Sequence, residues 1–273
     1  FDMGPSFYWM PDVFERYFNQ FGKKVSDYYT LHRLDPSYRI YWDQGYTDLP
    51  ASYEALQQVF ESIEPGSAAK LDKYLAGAAY KYEVGVNKLV YKPSRSLTEF
   101  MDWETISGVF KLQVFSSIKS HIAKYFQHPK LRQIMEFPVL FLGALPEDTP
   151  ALYSLMNYAD IKGGTWYPKG GMYAIVEGMY QLAMELGVTF HFEESVQEIT
   201  IDDSIAKKVV TDKNSYEADA VISGADYHFT EKNLLAAQYR SYSDQYWDKK
   251  VMAPSCLLYY VGLNKKLKQP IHH

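Results

Sequence analysis

The sequence predicts a mixed α/β (α+β) chain. Helices interrupted by short β segments fill most of the first two thirds, and a helix–strand region of nucleotide-binding type follows. Three observations carry this. From Met172 apolar residues recur at Ile175, Val176, Met179, Leu182, Ala183 and Leu186, the stripe of an amphipathic helix, with Gly187 placed to end it. "VQEITI" and "AKKVVT" then flank "DDS", a hairpin signal. Finally "ADAVISGAD", residues 218–226, is an apolar run closing on a glycine turn, which reads as a buried strand.

In chain order, Pro11 is placed to start a helix running through Phe21, where Gly22 stops it. "YTLHRLDPSYRIYW", residues 29–42, carries β-type residues on both sides of Asp35-Pro36 and reads as two short strands or one bent strand. "DLPAS", residues 48–52, opens a helix to about Ile63, and Pro65-Gly66-Ser67 breaks it. Ser67 is placed to cap a long helix to about Tyr91. "KPSRS" is the next breaker, short helices are expected through Phe137, and "LPEDTP" is a loop before a helix from Pro150 to about Tyr158. After the helix at Met172, "VTFHF", residues 188–192, alternates like a half-buried strand, and "SCLLYYVGL" near the end reads as another. No internal repeat or low-complexity tract is visible.

Composition narrows the function. At 273 residues the chain can bury a sizeable core, and aromatics make up 16 %, with 25 Tyr and 15 Phe. A formal charge of -5 argues against nucleic acid as a partner, because phosphate recognition needs a basic face. Cys256 is the single cysteine, so no intramolecular disulfide forms, in keeping with a reducing compartment; in the run "CLLYYVGL" it reads as a buried small hydrophobe. No stretch approaches the ~20 apolar residues a membrane span needs; "FPVLFLGAL" is too short, and Pro138 and Gly143 interrupt it.

Candidate chemical groups are few. No G-x-G-x-x-G, P-loop, H-E-x-x-H or G-x-S-x-G occurs. His121 and His128 lie seven apart without a nearby carboxylate, so no metal site is expected. "LTEFMDWE" sets Glu99 and Asp102 three apart, and with Glu104 they are candidates for holding a proton; a solvated helix start accounts for the same acids. Arg132, between apolar neighbours, is a candidate anion-binding or polarising group, and a structural ion pair is the favoured account of it. In "SGAD" a ligand can approach the backbone at Gly224, or Asp226 can simply cap a following helix.

Several segments together bear a family resemblance. "FDMGPSF", "GGTWYPKGGMYAIVEGM", "VTFHFEESVQEI", "ADAVISGAD" and "LLYYVGLN" stand in the order and spacing of the bacterial-type phytoene (carotenoid) desaturases, members of the FAD-dependent amine-oxidase-like superfamily. "FGKKVSDYYTLHRLDPSYRIYW" also resembles that family's segment after its first helix. The resemblance implies FAD as cofactor and a long apolar polyene as substrate. It implies removal of hydrogen across a carbon–carbon single bond, with the flavin accepting hydride. Because such a substrate lives in lipid, it also implies a cytoplasmic protein in peripheral contact with a membrane. Other polyene saturases or isomerases, porphyrinogen oxidases, and a non-catalytic apolar-ligand or membrane-binding module remain alternative readings.

The family's glycine-rich pyrophosphate loop and its last flavin-binding segment are not among these residues. The chain is therefore expected to be the middle of a longer enzyme, to bind FAD weakly on its own, and to be prone to self-association. Carried over residue by residue, Gly4 and Pro5 match the turn beside the isoalloxazine. Val196 matches a strand position that meets the adenine, and Ala225 and Asp226 match the turn near the adenosine, with Gly224 where relatives often have Asn. Lys169 stands where many relatives have Arg, which keeps the charge and loses bidentate pairing. Near Glu99 and Asp102 the arginine of the relatives' acid/base pair is missing. Residues 1–10 and 164–236 are expected to form a partial FAD-binding Rossmann-like unit. Residues 11–163 and 237–273 are expected to form a helix-rich substrate domain holding a small antiparallel sheet.

Overall fold

Pro11 opens the first helix of the computed structural model, which describes residues 7–87, 89–91, 96, 112–251, 257, 259 and 261–266. Helix α1 (Pro11–Asn19) follows Met10, which holds a left-handed φ of 54°. Two further turns end at Gly22, whose φ of 69° is the expected stop. The expected β region divides into two strands that take different partners. β1 (Leu31–Arg33) pairs antiparallel with β4 (Trp166–Pro168), more than a hundred residues away, whereas β2 (Tyr38–Tyr41) forms a hairpin with β3 (Tyr46–Leu49).

The helix expected from residue 48 starts later. Asp48 and Leu49 complete β3, Pro50 ends the strand, and α2 (Tyr53–Ile63) begins after Ser52, whose hydroxyl accepts the Ala55 amide at 3.3 Å. α3 (Ser67–Asn87) is the long helix expected, and a short 3₁₀ turn, Leu89–Tyr91, follows it. Its cap differs from the expectation. Ser67 is buried inside the first turn, and the Glu61 carboxylate accepts the amides of Gly66 (2.7 Å) and Ala68 (3.1 Å). A carboxylate beside the positive helix end is the stronger cap.

α4 (Ile118–Ala123) and α5 (Pro129–Glu136) are the short helices expected, and a 3₁₀ segment, Phe137–Leu142, continues the second. The helix expected from Pro150 changes pitch along its length. A 3₁₀ turn, Ala151–Ser154, leads into α6 (Leu155–Tyr158), and a π turn, Ala159–Gly163, follows. α7 (Tyr173–Glu185) ends before Gly187, at φ 85°. Its stripe is only partly inward: Leu182 is buried, while Val176 is 56 % exposed.

Two compact units result, Phe1–Ala183 with Tyr259–His273 and Met184–Leu258. The first has two apolar cores. One gathers Leu56, Phe60, Leu71, Tyr74, Ile122 and Phe126 between α2, α3 and α4; the other gathers Tyr8, Phe18, Tyr29 and Leu182. In the second core Gly178 lets α7 approach closely, because a Cβ there would lie 3.0 Å from both Tyr28 and Tyr29.

The second unit is built on an antiparallel meander, β5 (Val196–Asp202), β6 (Ile205–Thr211) and β7 (Ser215–Glu217). The hairpin expected around "DDS" is present, with Asp203 and Ser204 at φ 48° and 62°. Two expected strands are corrected. Residues 188–192 and 218–226 form no strand among the described residues; only the Ala218 amide reaches the sheet, donating to the Lys207 carbonyl at 2.9 Å, and Phe192 and Ile222 are 66 % and 96 % exposed. Alternation and apolar runs specify a face, and a strand also requires a neighbouring backbone to complete its ladder. Of the strand expected near the end, Leu257, Tyr259 and Val261 are described and belong to none; Cys256 lies outside the described residues.

Candidate functional site

In the second unit, β5 and β6 present Val196, Ile199 and Val209 to one side of a cavity of about 360 Å³, and the turn at Gly224 and Ala225 with Phe229 closes the other. The hairpin register positions the strand side, since Val196 lies opposite Thr211 and Ile199 opposite Val209. The turn side is held by Asp226, whose carboxylate accepts the Phe229 amide at 2.8 Å, and by a 2.8 Å hydroxyl contact between Ser223 and Thr230. A Cβ at Gly224 would meet nothing within 4 Å, so the backbone there is open to an approaching group. Of the residues assigned to the cofactor from the sequence, Val196 and Ala225 line this cavity and Asp226 serves as a cap behind it. The cavity is apolar, of a size for one planar ring system, and bordered by open backbone. These features fit the adenosine end of a flavin dinucleotide. Gly4 and Pro5 lie outside the described residues.

In the first unit, a cavity of about 410 Å³ lies against the β2–β3 hairpin, α5 and the 3₁₀ segment that follows it, with Phe7, Tyr38, Ile40, Trp42 and Phe137 in its wall. The rings hold one another edge to face. Phe7 meets Tyr38 at 6.2 Å between centroids and Phe141 at 5.6 Å, and Phe141 meets Trp9 at 5.0 Å. Arg39 stays at the edge, in a bidentate pair with Asp48 and over the face of Tyr46.

Behind this wall lies a carboxylate that the sequence reading missed. Asp160, in the π turn, is 4 % exposed; its Oδ2 accepts the Tyr38 hydroxyl at 2.7 Å and its Oδ1 the Thr165 hydroxyl at 3.2 Å. Burial pushes its pKa up to about 6, against the two hydroxyl donors and the nearby Arg33 guanidinium, which favour the anion. The sequence signal was an acid between apolar residues in "YADIKGG".

A second buried polar group lies under α3. The Lys81 ammonium donates to Gln113 Oε1, the Ala151 carbonyl and Ser154 Oγ, each at 3.0 Å, and burial brings its pKa down to about 8. Nearby His121 is buried with Nδ1 unpaired; burial, and then the charges of Lys81 and Lys124, lower its pKa to about 4. With the ammonium's three donors all taken by Gln113, Ala151 and Ser154, this cluster reads as structural.

The remaining sequence candidates fall elsewhere. Arg132 donates to the Phe126 carbonyl at 2.8 Å and to Gln127 Oε1 at 3.0 Å, tying α5 to the end of α4. His128 caps α5, with Nδ1 accepting the Lys130 amide, and so lies on a different element from His121. Lys169 is exposed at the end of β4. Glu99, Asp102 and Glu104 lie outside the described residues. Among the described residues no three His, Cys, Asp or Glu are grouped to hold a metal ion, and no helix is long and apolar enough to cross a membrane.

Comparison with known proteins gives the family. The sequence profile of flavin containing amine oxidoreductases matches residues 1–236. A carotenoid 3,4-desaturase of Haloarcula japonica is 40 % identical over 275 residues, covering 100 % of this chain and 56 % of the relative. A zeta-carotene-forming phytoene desaturase of Myxococcus xanthus is 30 % identical over 274 residues, covering 100 % of this chain and 53 % of the relative. A 4,4'-diapophytoene desaturase of Staphylococcus haemolyticus is 29 % identical, covering 100 % of this chain and 55 % of the relative. The chain thus spans about half the length of the curated relatives it matches. Among solved structures, a protein of Pyrococcus furiosus superposes with a TM-score of 0.51 at 18 % identity, covering 90 % of this chain and 50 % of that one; this likeness concerns the fold.

Proposed function

Because the chain belongs to the flavin containing amine oxidoreductase family, we propose that it is part of an FAD-dependent oxidoreductase that desaturates a carotenoid precursor such as phytoene. The observation that carries this reading is the identity to a carotenoid 3,4-desaturase along the whole chain. The aromatic cavity of the first unit is consistent with it.

In this reading the cavity at Val196, Gly224 and Ala225 holds the adenosine end of the cofactor through apolar contact and open backbone. When bound, FAD supplies the hydride acceptor for the hydrogen removed from the carbon chain. The protein's own part is binding and alignment. A polyene has no charge or hydrogen-bonding group to grip, so its position is set by the shape of an apolar wall and by ring faces against its π system. Phe7, Tyr38, Trp42 and Phe137 supply such faces.

The reading extends to a membrane surface as the source of the substrate. Leu140, Phe141 and Leu145 are 68 %, 46 % and 59 % exposed along and just after the 3₁₀ segment beyond α5, an apolar patch suited to shallow insertion among lipid headgroups.

The test is conversion of phytoene. The full-length protein, incubated with phytoene in liposomes together with FAD and a terminal acceptor, is expected to lengthen the conjugated system, seen as new bands in the pigment spectrum. No change where a control desaturase succeeds would exclude the assignment.

A further inference from the structure

We propose that Asp160 is a positioning residue for an extended apolar chain bound in the first unit's cavity, acting by holding Tyr38 of its wall directly and, through Thr165, the Trp9 ring that packs against Phe7 of that wall. The identity of the occupant rests on the carotenoid reading above; the clamp rests on geometry. Each carboxylate oxygen holds a different arm. Oδ2 accepts the Tyr38 hydroxyl, and Tyr38 lines the cavity. Oδ1 accepts the Thr165 hydroxyl, and Thr165 Oγ1 in turn accepts the Trp9 indole N–H at 2.9 Å. Between these two anchors the rings close on one another. Trp9 meets Phe141 at 5.0 Å, Phe141 meets Phe137 at 5.4 Å, and Phe137 meets Tyr38 at 5.2 Å. Phe7 lies within, 5.8 Å from Trp9 and 6.2 Å from Tyr38.

The direction of the hydrogen bonds explains why an acceptor-only group suits the position. An ionised carboxylate makes both hydroxyls donate toward it, which leaves a Thr165 lone pair for the indole. The anchors are dry, since Tyr38, Asp160 and Thr165 are 3 %, 4 % and 0 % exposed, so water does not substitute for a lost arm. A wall fixed in advance spares the ligand the entropy of ordering those side chains on binding.

The test is a fluorescence titration of the chain with cis-parinaric acid, an eighteen-carbon tetraene whose emission rises in an apolar site. Saturable binding is expected. Tyr38→Phe and Thr165→Val each cut one arm and are expected to weaken Kd about 3- to 10-fold, the range for freeing one or two side chains. Asp160→Ala cuts both arms and is expected to weaken binding further. Asp160→Asn keeps the Tyr38 arm, since its oxygen still accepts, but leaves the dry Thr165 hydroxyl proton without its acceptor, so it is expected to weaken Kd about as much as Thr165→Val and less than Asp160→Ala. Leu182→Ala, in the other core of the unit, controls for lost stability and is expected to leave Kd unchanged.

Absence of saturable binding by the parent chain, or Kd values for Tyr38→Phe and Thr165→Val within twofold of it, would overturn the proposal. So would an equal loss in Leu182→Ala, which would make the effect one of stability alone. The two readings fail separately. A flat Kd series alongside successful phytoene conversion removes the clamp and leaves the function. The expected series without conversion supports the clamp and removes the function.

Discussion

At the scale of the residue, two buried titratable groups pull stability in opposite directions with pH. Asp160 titrates near 6 in the fold against 3.8 in the open chain, so the folded state binds the extra proton between those values. Its contribution is fully present below 3.8 and is lost as pH rises through 6, on the order of 3 kcal/mol across the interval. His121 titrates near 4 against 6.5, so here the unfolded chain binds the extra proton. Its contribution is present above 6.5 and is lost as pH falls toward 4, by a similar amount. In the parent protein the two nearly cancel between pH 6 and 4. Urea melts at stepped pH are expected to show Asp160→Asn losing stability steeply on acidification, and His121→Leu becoming more stable at pH 4.5 than at pH 7. Parallel slopes for parent and both variants would contradict this assignment.

At the scale of the element, turn geometry decides. Gly164 follows the π turn at φ 91°, and a Cβ there would fall 0.8 Å from Arg33 Nη1. Arg33 lies over the Trp166 ring, so moving its guanidinium aside loses that contact. Gly164→Ala is therefore expected to cost about 1–3 kcal/mol from backbone strain, with displacement of Arg33 added, read as a fall in the urea midpoint. The hairpin between β5 and β6 gives the opposite case. Ser204 holds φ 62° in a two-residue turn that favours glycine at its second position. Ser204→Gly is expected to stabilise the second unit by about 0.5–1 kcal/mol, since relief of left-handed strain exceeds the entropy glycine adds to the open chain.

At the scale of the whole molecule, the cofactor is where the proposals become measurable. The cavity at Val196 and Ala225 offers apolar contact and open backbone, which suits an adenosine and does little for a pyrophosphate. Calorimetric titration of FAD into the chain is expected to give weak binding, and adenosine alone is expected to compete for much of it. Ala225→Trp would fill the cavity and is expected to weaken that binding at least tenfold, without changing parinaric acid binding in the other unit. Tight stoichiometric FAD binding that Ala225→Trp leaves untouched would locate the cofactor elsewhere.

The sequence by itself determined what depends on neighbours along the chain. The helices at Pro11, Ser67 and Tyr173, the stops at Gly22 and Gly187 and the hairpin at Asp203-Ser204 were legible, because capping, helical periodicity and turn conformation act over a few residues. Family membership was legible as well, since ordered motifs survive in one dimension. Tertiary structure decided the rest. Residues 188–192 and 218–226 have strand-like patterns and, among the described residues, no ladder beyond the single Ala218–Lys207 bond, because a strand exists only where another backbone lies beside it. β1 and β4 have that neighbour, although nothing near either one in sequence announces the other. The cap of α3 fell to Glu61 rather than Ser67, by reach across the turn between two helices. Asp160 looked like one acid among 33 Asp and Glu until folding buried it between Tyr38 and Thr165, residues 122 positions before it and five after. Desolvation and hydrogen-bond partners are properties of place, and only the fold assigns place.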